Sequence, residues 1–269
     1  MRLLKHEQQL RNEGFNVICG IDEVGCGALA GNLVACAVVI DIGKAKQIRI
    51  GRFRINDSKL LPKEIRKKLY PRILRASFAV GIGVVDVHEI NYIKNMRKSG
   101  YIARHRAVQN LGRSNPTHCH IYWHPKDQSI AYAKKFSIPY TAITPHYILL
   151  DGPFGMPEIK GIPVRSLVGG DRESISIASA SIIAKVFRDE QMINISKLYP
   201  KYGFERNVGY ATGYHQQAIK KYGISPYHRL YFNGVREIID ETSKELDEQA
   251  NSVEIAVAEK DQLKFEFTN

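Results

Sequence analysis

The sequence predicts an α/β domain followed by a helical C-terminal part. Three observations support this prediction: strand-like apolar runs come first, strands and helices are mixed in the middle of the chain, and helical periodicity dominates after residue 174. The chain has 269 residues and is 44% hydrophobic, which is ample for a buried core and argues against global disorder. Length alone does not decide between one large domain and two small ones.

The first part of the chain predicts a buried β-hairpin. Its first apolar run ends at the acidic pair Asp22-Glu23, and a glycine link (residues 25–31) joins that run to a second one. Two apolar runs around a short glycine-rich segment are typical of paired strands. Pro62 then opens a helix, because proline is favoured at a first helical position. Here the predicted strands cover about 15–21, 33–40 and 78–85, and the predicted helices cover 1–13, 62–74, 86–97 and 101–111.

The second part predicts a short strand and one long helix. The run 147–150 is strand-like and ends at Asp151. The longest helix is predicted from Ser174 to Leu198, since apolar side chains recur there at helical spacing. Smaller elements are predicted at about 117–123 (a strand), 127–136 (a helix) and 212–222 (a helix).

The charge of the chain is unevenly distributed. The net charge is +12 and the pI is about 9.5. Residues 237–269 carry ten acidic and three basic residues, which leaves a net charge of +19 on residues 1–236. A basic body favours a polyanionic partner such as nucleic acid, although a solvated basic surface without a partner has the same composition. We expect the acidic tail not to contact nucleic acid.

Cysteine usage and the N-terminus predict a cytoplasmic protein that is not bound to a membrane. The four cysteines (Cys19, Cys26, Cys36 and Cys119) show no framework of close pairs, which indicates a reducing compartment. The first residues are charged and lack the apolar core of a signal peptide. No apolar run approaches the 18 residues that a membrane span needs.

Four carboxylates lie at positions suited to metal-dependent phosphodiester hydrolysis. Such chemistry needs several oxygen ligands around two divalent ions, and the ends of buried strands can provide them in fixed positions. Asp22 and Glu23 end one predicted strand, Asp151 ends another, and Asp171 precedes the long helix. An aspartate before a helix is also a common capping residue. Spacing alone does not show that the four side chains meet.

Six short segments carry recognisable motifs. In chain order they are Gly20–Gly31, Asn56–Leu60, Leu150–Gly152, Val168–Asp171, Ala180–Asp189 and Tyr202–Tyr210. The residues of these segments and their order along the chain resemble the motifs of ribonuclease HII, the type 2 ribonuclease H family, over about residues 14–235. The resemblance implies an RNase H-like fold, with a central mixed sheet flanked by helices and a helical C-terminal region. We expect a catalytic domain over residues 1–235, with an insertion at about 113–142 relative to typical members of this family, an acidic tail over 236–269, and a monomer.

The resemblance also implies an activity and a metal site. An enzyme of this kind hydrolyses the RNA strand of RNA–DNA hybrids and cuts 5′ of ribonucleotides embedded in duplex DNA, leaving a 3′-hydroxyl and a 5′-phosphate. This activity belongs to ribonucleotide excision repair and DNA replication. Matched position by position, the catalytic and metal-binding carboxylates are Asp22, Glu23, Asp151 and Asp171, which would hold two Mg²⁺ or Mn²⁺ ions.

Recognition of the RNA–DNA junction is implied for the segment Gly25-Cys26-Gly27 and for Tyr210. Backbone groups of the glycines can approach the ribose 2′-hydroxyl, and the tyrosine can stack on the neighbouring deoxynucleotide sugar. A half-buried aromatic after a turn is the structural alternative for Tyr210. We also expect Lys59 to contact substrate.

The chain departs from the family pattern at two phosphate-facing positions. The family arginine is Cys26 here, and the lysine two residues before the fourth carboxylate is Gly169. A lost phosphate contact of this kind allows about a ten- to hundredfold loss of affinity or rate, unless Lys59, Lys185 or Arg172 supplies the charge. Cys26 is also a small residue that fits a tight turn. Two alternatives therefore stay open: a binding protein with weak or altered cleavage, and a hybrid nuclease without strict junction recognition.

A type III enzyme is the related alternative, but it usually has an extra N-terminal substrate-binding domain, and only about 13 residues precede the first predicted strand.

The sequence carries two weaker motifs. The cluster His118-Cys119-His120 with His124 has metal-binding residue types, but a polar-faced strand fits its spacing better than a zinc site, whose ligands usually come in two separated pairs. Near the C-terminus, Gln262–Phe267 resembles the short peptides that dock on bacterial-type sliding clamps, and its alternation also fits an edge strand.

Overall fold

A mixed β-sheet lies at the centre of the fold. The computed structural model describes residues 3–111, 143–153, 155, 159, 161–241, 243 and 244. Within these residues a five-stranded sheet has the order β5-β2-β1-β6-β7, and a separate two-stranded sheet pairs β3 with β4. The strands are β1 (Ile18–Val24), β2 (Leu33–Ile40), β3 (Arg49–Ile50), β4 (Phe53–Arg54), β5 (Ser77–Val85), β6 (Tyr147–Asp151) and β7 (Val164–Leu167).

Helices cover both faces of the sheet and form the C-terminal region. They are α1 (Lys5–Asn12), α2 (Ile42–Gln47), α3 (Lys63–Ala76), α4 (Val87–Ile93), α5 (Met96–Gln109), α6 (Ile175–Leu198), α7 (Phe204–Asn207) and α8 (Gly213–Tyr222). Short 3₁₀ turns occur at Ser58–Leu60, Gly170–Arg172 and Pro200–Tyr202. Residues 233–241 are also helical. Within the described chain, no helix is both long and apolar enough to cross a bilayer.

The predicted hairpin is confirmed, with one difference at its acidic end. Strands β1 and β2 pair in antiparallel register from Cys19 opposite Val39 to Val24 opposite Val34. The acidic pair Asp22-Glu23 therefore lies inside β1 and not after it. The ladder with β2 extends past the last apolar residue of the run, which the sequence pattern does not reveal.

The two faces of the sheet pack against different helices. Alternate residues of β1 and β6, such as Cys19, Ile21 and Leu150, belong to a core that also contains residues of α5. The opposite face contacts α6, and Gly20 makes this contact close. A Cβ atom at position 20 would overlap the backbone of Ser176. Glycine is thus required here by the approach of a helix to the sheet, which fixes the separation of β1 and α6.

The long helix was predicted within one residue of its observed bounds. Ser174 is its N-cap, and the Ser174 side chain accepts a hydrogen bond from the backbone N–H of Ile177 at 3.1 Å. The buried carboxylate of Glu7 accepts from the Ser174 hydroxyl at 2.6 Å and from the Ser176 N–H at 3.0 Å. The capping role considered for Asp171 is therefore filled by Ser174.

Several small elements were not predicted. Helix α2, the β3–β4 hairpin and strand β7 are short, and each is only partly buried, so none of them produces an apolar run. Helix α3 continues through Pro71 to Ala76, and helix α5 begins at Met96 and not at residue 101. The expectations for 117–123 and 127–136, the histidine cluster 118–124, the insertion 113–142 and the peptide Gln262–Phe267 lie outside the described residues.

The C-terminal region has its own apolar cluster, which packs on the glycine link. Leu29 and Ala30 of the link are buried together with side chains from α6 and the segments that follow it. Two histidines are fully buried beside this cluster: the ring of Phe204 lies 5.3 Å from that of His215 and 5.8 Å from that of His228. The Nε2 atoms of the two histidines are 3.1 Å apart.

The buried histidine pair predicts a pH dependence of stability. Burial, and then the neighbouring His215, lower the pKa of His228 from 6.5 to about 4. The unfolded chain therefore takes up a proton between pH 6.5 and about 4 that the folded protein does not bind. The resulting contribution to the free energy of unfolding is fully present above pH 6.5 and is lost as the pH falls, by up to about 3 kcal/mol.

Urea unfolding at pH values across this window checks this expectation, with His228→Gln as the comparison. Carboxylates with raised pKa values contribute with the opposite sign, so the difference between the wild type and His228→Gln is the informative quantity. The variant should lose less stability on acidification than the wild type. Equal losses in the two proteins would show that His228 is not the source.

Candidate active site

The register of the sheet places two of the predicted carboxylates side by side. Strands β1 and β6 are parallel, and Ile21 pairs with Leu150. The next residues, Asp22 and Asp151, therefore lie on adjacent strands and share the face that packs on α6. Asp22 is 8% exposed, and the hydroxyl of Ser181 on α6 is a hydrogen-bond partner of its carboxylate.

The fourth predicted carboxylate joins this pair through the turn before α6. The backbone N–H of Gly170 donates to Oδ1 of Asp151 at 2.7 Å, which holds the 3₁₀ turn Gly170–Arg172 against the end of β6. Asp171 lies in this turn and is 6% exposed. The structure thus brings Asp22, Asp151 and Asp171 together from two strands and one turn.

Electrostatic effects at the three aspartates agree with this proximity. Burial raises the pKa of Asp22, and the charges of Asp151 and then Glu23 raise it further. Burial, with a smaller contribution from Glu23, raises the pKa of Asp151. Burial and the charges of Asp151 and Asp57 raise the pKa of Asp171 to about 6. Like charges concentrated in a poorly solvated site favour a bound cation or proton, and such sites are often functional.

Glu23 points to the other face of the sheet, because successive side chains of a strand alternate. There it forms a two-pronged ion pair with Arg104 of α5: Nε donates to Oε2 at 2.9 Å, and Nη2 donates to Oε1 at 2.5 Å. The Arg104 side chain is 5% exposed and that of Glu23 is 15% exposed. Sequence reasoning missed Arg104, since nothing local in α5 distinguishes it from a solvated helix residue.

Sequence reasoning also missed a fifth carboxylate. Asp57 is 1% exposed and accepts hydrogen bonds from Nε and Nη2 of Arg172, at 3.1 and 3.0 Å. A hydrogen bond joins the Asp57 and Asp171 carboxyl groups. The hydroxyl of Ser58 lies 2.9 Å from that of Ser181 and can donate to it, which ties this segment to α6. The sequence did contain a signal for a functional role of Asp57, because Asp57 and Ser58 lie inside the motif Asn56–Leu60.

Three basic residues were considered as substitutes for the missing family cations, and their surroundings differ. Arg172 is paired with Asp57. Lys185 pairs with Asp189 at 2.7 Å, and its Nζ lies 5.8 Å from the ring centroid of Tyr210. The charge of Lys59 lowers the pKa of both Asp151 and Asp171, and its side chain is exposed. The charge of Lys59 therefore acts on two of the proposed ligands, Asp151 and Asp171.

The glycine link lies next to Glu23. Cys26 is exposed, and its Sγ donates weakly to Oε1 of Glu23 at 3.9 Å. The carbonyl of Gly25 accepts from the N–H of Ala28 at 3.3 Å, so residues 25–28 form a tight turn. A small residue at position 26 fits this turn. At the other departure from the family pattern, Gly169 has a φ of +67°, a conformation that a lysine would adopt only with strain.

Tyr210 is half-buried beside the glycine link. The carbonyl of the preceding residue, Gly209, accepts from the N–H groups of Leu29 and Ala30 at 2.8 and 3.2 Å. The guanidinium carbon of Arg188 lies 5.6 Å from the Tyr210 ring centroid. The structure therefore brings the link and the tyrosine into one region, and Glu23 borders it.

The donor set at the carboxylates consists of oxygen atoms, which suits hard divalent ions such as Mg²⁺ and Mn²⁺. Among the described residues, no three His, Cys, Asp or Glu side chains are arranged so that they could hold one metal ion together. Magnesium usually keeps several waters and needs only one or two carboxylates per ion. The paired aspartates Asp22 and Asp151 fit this second kind of site.

Comparison with known proteins decides the family. The family model described as Ribonuclease HII matches residues 19–235. The chain belongs to the ribonuclease HII family. The Ribonuclease HII of Pediococcus pentosaceus is 36% identical over 233 residues, which cover 87% of this chain and 76% of the relative. That of Syntrophobacter fumaroxidans is 38% identical over 239 residues, covering 88% of this chain and 84% of the relative.

Solved structures confirm the RNase H-like fold. Ribonuclease H2 from Pyrococcus horikoshii has a TM-score of 0.63 at 22% identity, covering 84% of this chain and 99% of that chain. The PCNA:RNase HII complex from Archaeoglobus fulgidus gives a TM-score of 0.59 at 20% identity, with coverages of 82% and 96%. Bst-RNase HIII in complex with Mn²⁺ gives 0.59 at 19% identity, with coverages of 85% and 70%.

As a member of the ribonuclease HII family, this protein is a type II ribonuclease H, a hydrolase that acts as an endoribonuclease on RNA–DNA hybrids. The resemblance seen in the six motifs is thereby confirmed, as is the prediction of an enzyme.

Proposed function

We propose that this ribonuclease HII also cuts 5′ of single ribonucleotides embedded in duplex DNA, leaving a 3′-hydroxyl and a 5′-phosphate, by two-metal-ion catalysis. The observation that supports this proposal most directly is the proximity of Asp151 to both Asp22 and Asp171, whose pKa values burial and then the Asp151 charge raise. Ribonucleotide excision repair and DNA replication are the processes in which such cuts are needed.

Asp22, Glu23, Asp151 and Asp171 are the proposed ligands of two Mg²⁺ or Mn²⁺ ions. The neighbour whose structure contains Mn²⁺ supports the choice of ion, and the all-oxygen donor set fits it. When bound, such ions stabilise the negative charge on the attacking and leaving oxygens of the phosphodiester. The protein holds the carboxylates in place: Ser181 bonds Asp22, the Gly170 N–H bonds Asp151, and Arg104 holds both oxygens of Glu23.

The glycine link and Tyr210 are the proposed junction readers. Gly25, Cys26 and Gly27 would present backbone groups to the ribose 2′-hydroxyl, and Tyr210 would stack on the following deoxyribose. Lys59 is the proposed phosphate contact, since it is exposed and its charge reaches the carboxylates.

One assay tests the proposed function. Duplex DNA with a single ribonucleotide and a hybrid with an RNA tract are incubated with the protein and Mg²⁺ or Mn²⁺. Cutting of both substrates, with 3′-hydroxyl and 5′-phosphate ends at the single ribonucleotide, is the expected result. Cutting of the tract alone would indicate a hybrid nuclease without junction recognition.

The second candidate is a nucleic-acid-binding protein of the same fold with weak or altered cleavage. Cys26 and Gly169 favour it, because each replaces a cation of the family pattern. Retained binding of both duplexes with negligible cutting of either would support this candidate over the first.

Restoring the cation at position 26 gives a direct measure of what its absence costs. Cys26→Arg is expected to raise kcat/KM on the single-ribonucleotide duplex by about ten- to hundredfold, because a charge-assisted phosphate contact contributes roughly 1.5–3 kcal/mol. Cys26→Met, which adds a long side chain without charge, is the matched control. An unchanged rate in Cys26→Arg would place the compensating charge elsewhere, with Lys59 the first candidate.

The proposed division of the chain is a catalytic domain over residues 1–235 and an acidic tail over 236–269, although the helix over 233–241 spans this boundary.

We further propose a cytoplasmic monomer that docks on a sliding clamp through Gln262–Phe267. Among the described residues, Cys19, Cys26 and Cys36 form no disulfide, which suits a reducing compartment. The structural neighbour in complex with PCNA supports a clamp as partner.

Clamp docking is tested by truncation. A chain ending at Asp261 is expected to lose retention on an immobilised bacterial-type sliding clamp, whereas the full chain is retained. Hydrolysis of a short hybrid by the two forms should be equal, which controls for folding. Equal retention of both forms would exclude this peptide as the docking segment.

A further inference from the structure

A short C-terminal segment pairs directly with the glycine link. Residues Ala30 and His228 form an antiparallel bridge. The N–H of Gly31 donates to the carbonyl of Tyr227 at 2.9 Å, and the N–H of Arg229 donates to the carbonyl of Leu29 at 2.8 Å. The segment Tyr227–Arg229 is therefore hydrogen-bonded through its backbone to the glycine link, which is one of the proposed junction readers.

Arg229 fixes the peptide groups of the link. Its fully buried guanidinium donates to the carbonyl of Gly31 through Nε at 3.0 Å and Nη2 at 2.7 Å. Its Nη1 donates to the carbonyls of Gly25 and Cys26, at 2.6 and 3.2 Å. In a trans peptide the N–H lies opposite the carbonyl, so the N–H groups of Cys26 and Gly27 point away from Arg229.

These two N–H groups therefore lie on the exposed side of the link, where Cys26 and Gly27 are accessible to solvent. Successive N–H groups that point outward form a concave donor site for hydroxyl or phosphate oxygens. A second buried arginine, Arg188, holds the far end of the link through the carbonyls of Ala30 and Asn32, at 3.0 and 2.9 Å. Arg229 and Arg188 thus hold both ends of the glycine link from its buried side.

His228, the neighbour of Arg229 in the chain, is linked to the backbone of Tyr210 by a chain of hydrogen bonds that passes through His215. The backbone N–H of Ser225 donates to Nδ1 of His228 at 2.7 Å, whereas the Ser225 carbonyl lies farther from this nitrogen, at 3.3 Å. We therefore assign Nδ1 as the acceptor and the proton to Nε2. Nε2 of His228 then donates to Nε2 of His215 at 3.1 Å. The remaining proton of His215 is on Nδ1, which donates to the carbonyl of Tyr210 at 2.9 Å.

We infer that the dipeptide His228-Arg229 is a positioning element, which holds the glycine link and Tyr210 in a fixed relation and thereby sets the preference for a single ribonucleotide over an RNA tract. This inference rests on the proposed function of the link and the tyrosine. Arg229 acts on the link directly, and His228 acts on the backbone of Tyr210 through His215. If either the glycine link or Tyr210 shifts, the link no longer contacts the ribose 2′-hydroxyl while Tyr210 stacks on the neighbouring deoxyribose.

Nuclear magnetic resonance tests the proton assignment independently of activity. With ¹⁵N-labelled histidine, His228 is expected as the Nε2-protonated tautomer and His215 as the Nδ1-protonated tautomer at neutral pH. His215→Asn places an amide donor near the position of Nδ1, whereas His215→Leu has no donor. Tautomers opposite to those expected would overturn the connection to Tyr210.

Kinetics test the consequence. Arg229→Lys keeps the charge but not the forked donor, and it is expected to lower the ratio of kcat/KM for the single-ribonucleotide duplex to that for the RNA tract by about tenfold or more. His215→Leu should lower this ratio similarly, and His215→Asn should restore most of it. Arg106→Lys is the matched control, since Arg106 donates to the Val84 carbonyl away from the link.

Equal losses on both substrates in Arg229→Lys and His215→Leu would overturn the inference while leaving the proposed function intact, because they would indicate a purely structural role. A wild type that neither cuts nor preferentially binds the single-ribonucleotide duplex would overturn both. Thermal unfolding of each variant shows whether a loss common to both substrates comes from misfolding.

Discussion

Asp151→Asn is expected to abolish hydrolysis of an RNA–DNA hybrid while leaving its binding nearly unchanged. The substitution removes one charge from the proposed metal ligands but keeps an oxygen that can accept from the Gly170 N–H. Loss of a group that merely orients a metal ligand typically reduces activity or metal affinity by about 10–100-fold. Loss of a ligand should therefore exceed this, on the order of 10³-fold in kcat.

Cleavage with Mn²⁺ and binding without divalent ions, measured by fluorescence anisotropy, separate the two effects. Asp86→Asn is the matched control, because Asp86 caps α4 by accepting from the Glu89 N–H at 2.8 Å and asparagine caps equally well. That variant should retain activity. Activity of Asp151→Asn within tenfold of the wild type would contradict the proposed role of this carboxylate.

Arg104→Met is expected to destabilise the protein by about 3–5 kcal/mol in the absence of metal. The substitution leaves the Glu23 carboxylate, which is 15% exposed, without its two-pronged partner. Removing one member of a buried ion pair carries a penalty of this size, because the remaining charge is poorly solvated. Urea unfolding measures the difference, and Mn²⁺ should recover part of it by replacing the lost cation beside Glu23.

The same helix provides a matched control. Arg106 forms an equally two-pronged pair with Glu89, at 2.8 and 2.6 Å, but both side chains are more than a third exposed. Arg106→Met should therefore cost no more than about 1 kcal/mol. Similar losses in the two variants would show that the burial of the Glu23 pair has no special effect. No recovery by Mn²⁺ would argue against Glu23 as a metal ligand.

The sequence predicted the fold where packing follows a local pattern. Helix α6 and the β1–β2 hairpin carry long apolar runs with clear caps or links, so their positions were correct to within a few residues. Strand β7 and helix α2 are short and half-buried, and tertiary contacts stabilise them more than their own composition does. No pattern in the sequence marks such elements.

At the candidate site, the residues that were predicted belong to motifs and those that were missed depend on distant contacts. Asp22, Asp151 and Asp171 lie in recognised segments. The register of β1 with β6 places Asp22 beside Asp151, and the Gly170 N–H holds the turn that carries Asp171 against Asp151. Arg104 lies 81 positions from Glu23 and in a helix without a motif, so only the folded chain reveals the pair. Asp57 lay within a motif but was not expected to contact Asp171.

The close contact at Gly20 has a consequence for how this enzyme can vary. The backbone of α6 lies against β1 there, and the same helix carries Ser181, the hydrogen-bond partner of Asp22. Any side chain at position 20 would force the helix outward and would draw Ser181 away from Asp22. A substitution at position 20 would therefore act on the proposed metal ligand Asp22 from a distance, through the space that the helix backbone occupies beside Gly20.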